Sequence, residues 1–324
     1  MIILFNDLSK QIIKKIEEYN NIVIARHIGP DPDAIASEIA LRDIIKLNYE
    51  NKNVKAIGVG VAKFKYLGTL DKLTDEDRNN TLLIMLDLPE ASRLDGTKKD
   101  DYAYTIKIDH HPCDHPECDI DYIDDEASST CQILCDIIFN NNLVISRECA
   151  EILFTGIVSD SDRFLLSYTS PRTFDIASKL LDDYNIDLSK IYNNLYSRPI
   201  SERRFEAFIT NNLTVTENGF GYIKLTNDDY KKYEVDANTA SNMVNDFNFI
   251  NELRCWAFSS YDEKNKVYRI NIRSKDVIIN DVAQNYNGGG HKLASGARLE
   301  TMEEVDELFK ALDERCKEYK KGDN

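Results

Sequence analysis

Four short apolar runs, three of them leading to a histidine or an aspartate, restrict the fold of this chain more than any other feature. Ile22-Val23-Ile24-Ala25 leads to His27, Leu82-Leu83-Ile84-Met85-Leu86 to Asp87, and Thr105-Ile106-Lys107-Ile108 to Asp109; Val54 to Val59 is the fourth. Each has the length of a buried strand. Around them apolar residues recur with a helical period, at Leu8, Ile12, Ile13 and Ile16, and again at Ala34, Ile35, Ile39, Leu41, Ile44 and Ile45. Buried strands alternating with helices predict an α/β fold with a parallel sheet. Ligands gather at the C-terminal ends of strands in such sheets, which is where these polar residues stand.

Helices are predicted from Ser128 to Asn140, from Ser146 to Val158, and from Pro171 to Tyr184, the last with proline in its first turn. Ser197-Arg198-Pro199 breaks the segment that follows, so the connection between two domains is placed across 189–204. At 324 residues two domains are the reasonable division. The second half reads as a smaller α+β domain. Leu213 to Leu225 forms a hairpin turning at Glu217-Asn218-Gly219, a helix covers 237–249, and 254–261 pairs with 267–273. A final amphipathic helix spans Met302 to Tyr319.

Composition removes several function classes. A formal charge of −16 argues against long nucleic acid as a partner, since backbone binding needs a basic stripe. A small phosphorylated substrate is compatible with it. Seven irregularly spaced cysteines suit a reducing compartment better than a disulfide framework. Asp7, Lys10, Lys14 and Lys15 interrupt the apolar N-terminus, and no run reaches the length of a membrane span. A cytoplasmic protein without membrane contact is expected.

Four of the five histidines fall in three polar motifs: His27-Ile28-Gly29-Pro30-Asp31-Pro32-Asp33, Asp109-His110-His111 and Gly288-Gly289-Gly290-His291. Imidazole with carboxylate is a ligand set for a divalent cation such as Mn²⁺. Asp31 and Asp33, two apart in a stiffened loop, could address different ions; the competing reading makes them helix N-terminal residues. Asp87 could bridge two ions or simply end a strand. At Asp109-His110-His111 one imidazole could ligate metal and the other donate to substrate, with Asp109 orienting a ring. His110, His111, Cys113, His115 and Cys118 could instead compose a zinc knot, although their spacing matches no common pattern. Asp160 adds a carboxylate where a helix meets a loop. Arg273-Ser274 and the glycine run before His291 suit an anion: glycine lets backbone N–H groups approach, and arginine offers a fixed fork.

In this order the motifs resemble the DHH phosphoesterase superfamily with a DHHA1 C-terminal domain, and the compact two-domain form is similar to the bacterial nanoRNase/pAp phosphatase group. The resemblance implies a DHH catalytic domain over 1–188 and a DHHA1 substrate-binding domain over 205–324, with the active site in the cleft between them. It implies two Mn²⁺ ions, one held by His27 and Asp31, the other by Asp33, His110 and Asp160, with Asp87 bridging. His111 would contact the scissile phosphate and Asp109 would support the histidines. Arg273, Ser274, Gly288, Gly289, Gly290 and His291 would bind the nucleotide phosphate. The implied substrates are short oligoribonucleotides and 3′-phosphoadenosine 5′-phosphate. The alternative is a cyclic-di-AMP/pApA phosphodiesterase in second-messenger turnover. A homodimer is left open. Two departures stand out: Ala36 and Asp162 occupy positions where the family often has glycine.

Overall fold

The computed structural model describes residues 2–74, 78, 80–113 and 115–322. The chain divides into two compact units, Met1–Ser197 and Arg198–Asn324.

The first unit begins with α1 (Ile2–Glu18), β1 (Asn21–Arg26), α2 (Pro32–Asn48), β2 (Asn53–Ala56), β3 (Thr81–Leu86), β4 (Tyr104–Asp109) and β5 (Ile120–Ile123). It continues with α3 (Thr130–Asn140), α4 (Arg147–Asp160), α5 (Pro171–Tyr184) and α6 (Leu188–Tyr196). The strands form one parallel sheet in the order β2-β1-β3-β4-β5. Both faces are covered, which is why β3 is apolar and buried throughout. Ile22, Ile24, Leu82, Ile84 and Leu86 belong to the helix-packed core, and Val23, Ala25, Leu83 and Met85 to a smaller cluster with Leu94 and Tyr102. The strand order reverses direction between β1 and β3, so two adjacent strands send their following loops apart and open a crevice at their C-terminal ends.

The predicted strands are present, with β2 stopping at Ala56. Strand β5 was not anticipated: Ile-Asp-Tyr-Ile is short, half-buried, and lies at the sheet edge. The stretch 189–204, read as a linker, is mostly helix. Helix α6 fills its first part, and α7 (Ile200–Asn212) begins after the break at Ser197-Arg198-Pro199.

The second unit continues with β6 (Thr214–Val215), β7 (Phe220–Leu225), α8 (Asn227–Tyr233), α9 (Ala237–Met243), β8 (Cys255–Asp262) and β9 (Val267–Ser274). It ends with α10 (Asn280–Gln284), β10 (Gly288–His291), β11 (Ala294–Leu299) and α11 (Met302–Gly322). Its six strands run β10-β11-β9-β8-β7-β6, antiparallel except for β7 with β8. The predicted hairpins 213–225 and 254–273 are both there. The expected helix over 237–249 tightens to a 3₁₀ form from Val244.

The glycine run is an edge strand, and part of its N–H complement serves the ladder with β11. The fold itself requires two of these glycines. A Cβ on Gly288 would lie 2.2 Å from the Gly296 carbonyl oxygen, and one on Gly290 2.6 Å from that of Ala294. Among the described residues no helix is long and apolar enough to cross a membrane.

Candidate metal centre

The C-terminal edge of the first sheet brings six side chains together. His27 follows β1, Asp87 follows β3, and His110 follows β4; Asp31 and Asp33 open α2, and Asp160 closes α4. Ligand atoms of His27, Asp31 and Asp87 lie within 4.8 Å of one another, as do those of Asp33, His110 and Asp160. Asp87 connects the two groups through its separate oxygens: Oδ2 is 3.6 Å from His27 Nε2, and Oδ1 is 3.5 Å from His110 Nε2. His110 Nε2 is also 3.2 Å from Asp160 Oδ2.

Local structure explains these placements. Asp31 is the N-cap of α2, its Oδ1 accepting from Ala34 N at 3.0 Å, with Pro32 starting the helix. The N-cap role does not take Asp31 out of the cluster, since its carboxylate also lies within 4.8 Å of the His27 and Asp87 ligand atoms. Asp33 lies one step into the helix, turns inward, and is fully buried. Its oxygens accept from the first two N–H groups of α3, Thr130 N at 2.8 Å and Cys131 N at 3.1 Å. A helix N-terminus is one of the few apolar-lined places where an ionised carboxylate is tolerated. Asp87 takes a left-handed backbone, φ 54°, and accepts from Thr130 Oγ1 at 3.2 Å. Gly156 of α4 leaves the space for this arrangement. Thr130, Cys131 and Gly156 were not singled out from sequence, because nothing local to them signals a long-range contact.

His111 belongs to a third group, with ligand atoms of Asp87, His110 and His111 within 4.8 Å of one another, and it also pairs with Asp109. Asp109 is buried, and its Oδ1 accepts from His111 N at 3.1 Å and from His111 Nδ1 at 2.8 Å. With Nδ1 as the donor, the other ring nitrogen stays free, on a side chain 40% exposed. His111 Nδ1 also lies 3.7 Å from Asp87 Oδ1. Lys107, buried beneath, donates to the Pro89 carbonyl at 2.8 Å.

The electrostatics fit a cation. Among the described residues no lysine or arginine pairs with Asp31, Asp33, Asp87 or Asp160, and Asp160 Oδ2 is shut from solvent without a hydrogen-bond partner. Burial, then the charge of Asp87, pushes the Asp33 carboxyl up to about 7. Burial and the charge of Asp33 likewise hold Asp160 well above the usual carboxylate range. Burial opposes ionisation of Asp87, yet the imidazoles of His110 and His27 hold its carboxyl below that range. Burial also opposes protonation of His110, but Asp87, Asp160 and Asp33 together push it up to about 10. The cluster thus retains protons that an ion would displace, and its oxygen and imidazole donors suit Mn²⁺ or Mg²⁺.

No cysteine joins a three-donor group among the described residues. Cys113 Sγ instead donates to the His115 carbonyl, so the zinc-knot alternative is not built. Asp162 is at the surface, bonded to Arg163 at 2.8 Å, on a left-handed backbone with φ 42°. That conformation explains the glycine expected there. Ala36 is buried within α2.

In the second unit Arg273 donates from Nε to Asn245 Oδ1 at 2.8 Å and from Nη1 to the Ile272 carbonyl at 2.9 Å. No carboxylate lies within 4.0 Å of it among the described residues. Ser274 turns inward: its hydroxyl donates to the Arg254 carbonyl and accepts from Val277 N, closing the strand end. His291 is exposed, opposite Ala294, which in turn pairs with Arg273 across the sheet.

Residues 21–157 match the family described as DHH family, N-terminal domain, and residues 220–318 match the DHHA1 domain. The chain is 34% identical to the probable bifunctional oligoribonuclease and PAP phosphatase NrnA of Streptococcus mutans, over 94% of this chain and 97% of that one. It is 32% identical to the bifunctional oligoribonuclease and PAP phosphatase NrnA of Bacillus subtilis, over 96% and 100%. The crystal structure of an exopolyphosphatase-related protein from Bacteroides fragilis matches with a TM-score of 0.83 at 27% identity, covering 97% of this chain and 96% of that one.

Proposed function

The chain belongs to the DHH family with a C-terminal DHHA1 domain, a phosphoesterase hydrolase, and from that premise we propose that it hydrolyses short oligoribonucleotides and 3′-phosphoadenosine 5′-phosphate with two Mn²⁺ ions. DHH phosphoesterases use divalent metals. The observation that carries the reading is Asp87, whose two oxygens face two separate groups of donors. One ion would be held by His27 and Asp31, the other by Asp33, His110 and Asp160, with Asp87 shared. Bound there, divalent cations supply Lewis-acid charge that neutralises phosphoryl oxygens and eases attack by water.

The protein's own contribution is placement. Asp109 fixes the ring of His111 through Nδ1, so its second nitrogen can donate to a phosphate oxygen. The Asp33 carboxylate is held by the N-terminus of α3 rather than by a mobile side chain, which keeps it aimed without further ordering. Arg273, His291 and the strand Gly288–Gly290 would take a phosphate of the substrate, the guanidinium offering a fixed fork for it. Ser274 would act there only through the shape of the strand end.

The test is a Mn²⁺-loaded assay on 3′-phosphoadenosine 5′-phosphate, two- to five-residue RNAs, pApA and cyclic di-AMP. Release of phosphate from the first and of mononucleotides from the RNAs is expected. No turnover of any of them would overturn the reading, and turnover of pApA or cyclic di-AMP alone would reassign the substrate.

A further inference from the structure

The exposed face of β9 and β11 carries a second concentration of positive charge, away from Arg273. Alternation along β9 buries Ile270, Ile272 and Ser274 and turns Arg269, Asn271 and Arg273 to the opposite face. Arg298 of β11 stands directly across from Arg269, and Gly296 across from Asn271. Arg269, Asn271, Asn287, Gly296 and Arg298 border a surface cavity of about 370 Å³.

Like charges directly opposite on neighbouring strands repel, so this pair is unfavourable for the sheet by itself. Both arginines are exposed, and among the described residues neither guanidinium has a carboxylate within 4.0 Å or donates a hydrogen bond. Asp262 is close enough to feel the charge of Arg269, but it accepts from Lys264 N, Asn265 N and Asn265 Nδ2 within its own turn. Arg26, Arg42, Arg172 and Arg315 all have carboxylate partners, whereas Arg269 and Arg298, like Arg273 on the same face, have none among the described residues.

The register also links this pair to Arg273. Moving along the face, Arg269 and Arg298 form one rung, Asn271, Gly296 and Gly289 the next, and Arg273, Ala294 and His291 the third. The middle rung has two glycines, and a Cβ on Gly289 would meet nothing within 4 Å. The fold therefore does not require glycine at 289, while Asn271 on the same rung donates to Ser241 Oγ of α9 at 3.1 Å. Four residues of strand separate Arg269 from Arg273, roughly 13 Å at the usual rise.

We propose that Arg269 and Arg298 form a second phosphate subsite, which takes a phosphate of an oligoribonucleotide beyond the one held at Arg273. The inference rests on the proposed substrate class. Two guanidinium forks can grip one phosphate from both sides, and their mutual repulsion is relieved when the anion arrives. A substrate as short as 3′-phosphoadenosine 5′-phosphate does not span the roughly 13 Å of strand from Arg273 to Arg269, so the subsite grades substrates by length.

The test uses the full-length, Mn²⁺-loaded protein and the double variant Arg269→Gln/Arg298→Gln. For a pentaribonucleotide, kcat/KM should fall roughly ten- to hundredfold through KM, while turnover of 3′-phosphoadenosine 5′-phosphate stays within about twofold. Fluorescence anisotropy with a phosphorothioate pentaribonucleotide gives a readout independent of hydrolysis. The slope of log affinity against log salt should flatten by about 0.7 for the one phosphate released. Arg269→Lys/Arg298→Lys, which keeps charge but not the fork, should fall between. Unchanged affinity and salt slope would overturn the subsite, as would an equal loss on both substrates. If the wild-type protein hydrolyses neither substrate, the substrate reading fails, and the anisotropy arm still decides the subsite. The single variant Arg298→Gln covers the case in which the double variant does not fold.

Discussion

Gly156 and Asp33 approach so closely that a Cβ on residue 156 would lie 2.6 Å from Asp33 Oδ1 and 2.3 Å from Cys131 Sγ. The absence of a side chain on α4 is thus part of the geometry that holds a buried carboxylate against the start of α3. Gly156→Ala should displace Asp33 and lower Mn²⁺ affinity about 10- to 100-fold, as loss of a supporting contact does at metal sites. Overpacking of about 1–3 kcal/mol should outweigh the gain of about 1 kcal/mol from the better helix former. Calorimetric Mn²⁺ titration and the urea midpoint check the two effects separately. Wild-type affinity in a folded variant would remove Gly156 from the site.

Asp109 touches His111 through two hydrogen bonds to one oxygen. Asp109→Asn keeps the shape but removes the charge that favours a proton on Nδ1, so the ring can adopt the other tautomer. A fall in kcat of about 10- to 100-fold is expected, with KM nearly constant and Mn²⁺ affinity little changed. Comparable losses in KM and metal affinity would show that Asp109 only supports the loop.

The sequence made the first sheet legible because each long strand is a short, apolar run bounded by polar residues, a pattern with few other solutions. The proposed ligands were legible for the same reason, since loops after buried strands carry the polar residues that cannot enter the sheet. What pattern could not reveal was long-range complementarity. Thr130 and Cys131 act through backbone N–H groups, which every residue has, and Gly156 acts by what it lacks. Strand β10 was hidden because three consecutive glycines have poor strand propensity, and only close contact with β11 makes them one. The hydroxyl of Ser274 reads as a ligand from its neighbour Arg273, yet the strand end claims it.

Asp162 is the first of three consecutive residues with left-handed backbone, at φ 42°, 64° and 67° through Phe164. A residue with a Cβ is disfavoured there by about 1–2 kcal/mol, while glycine adds unfolded-state entropy of about 0.4–1 kcal/mol. The surface pair with Arg163 contributes little. Asp162→Gly should therefore stabilise the protein by about 0.5–1 kcal/mol, measured as a higher urea midpoint at unchanged slope, with kcat unaltered. A lower midpoint would mean that the Arg163 contact matters more than the backbone conformation.

Protons and metal ions compete for the same cluster, and the sign of the competition follows from the shifts. Asp33 is pushed up to about 7, so the metal-free fold binds more protons than the unfolded chain between about 4 and 7. Its contribution is complete at low pH and is lost as pH rises through 7. His110, pushed up to about 10, adds a contribution in the same direction, complete below about 6.5 and lost as pH rises towards 10. The metal-free protein should consequently melt at progressively lower temperature from pH 6 to pH 9. Mn²⁺ replaces the missing positive charge, so its stabilising effect should grow over the same range, and binding at pH 7 should release protons. Thermal melts with and without Mn²⁺, together with titrations in buffers of different ionisation enthalpy, measure both. A metal-free melting temperature that rises with pH, or binding heats independent of buffer, would mean that the carboxylates and imidazoles here are not the groups the ions displace protons from.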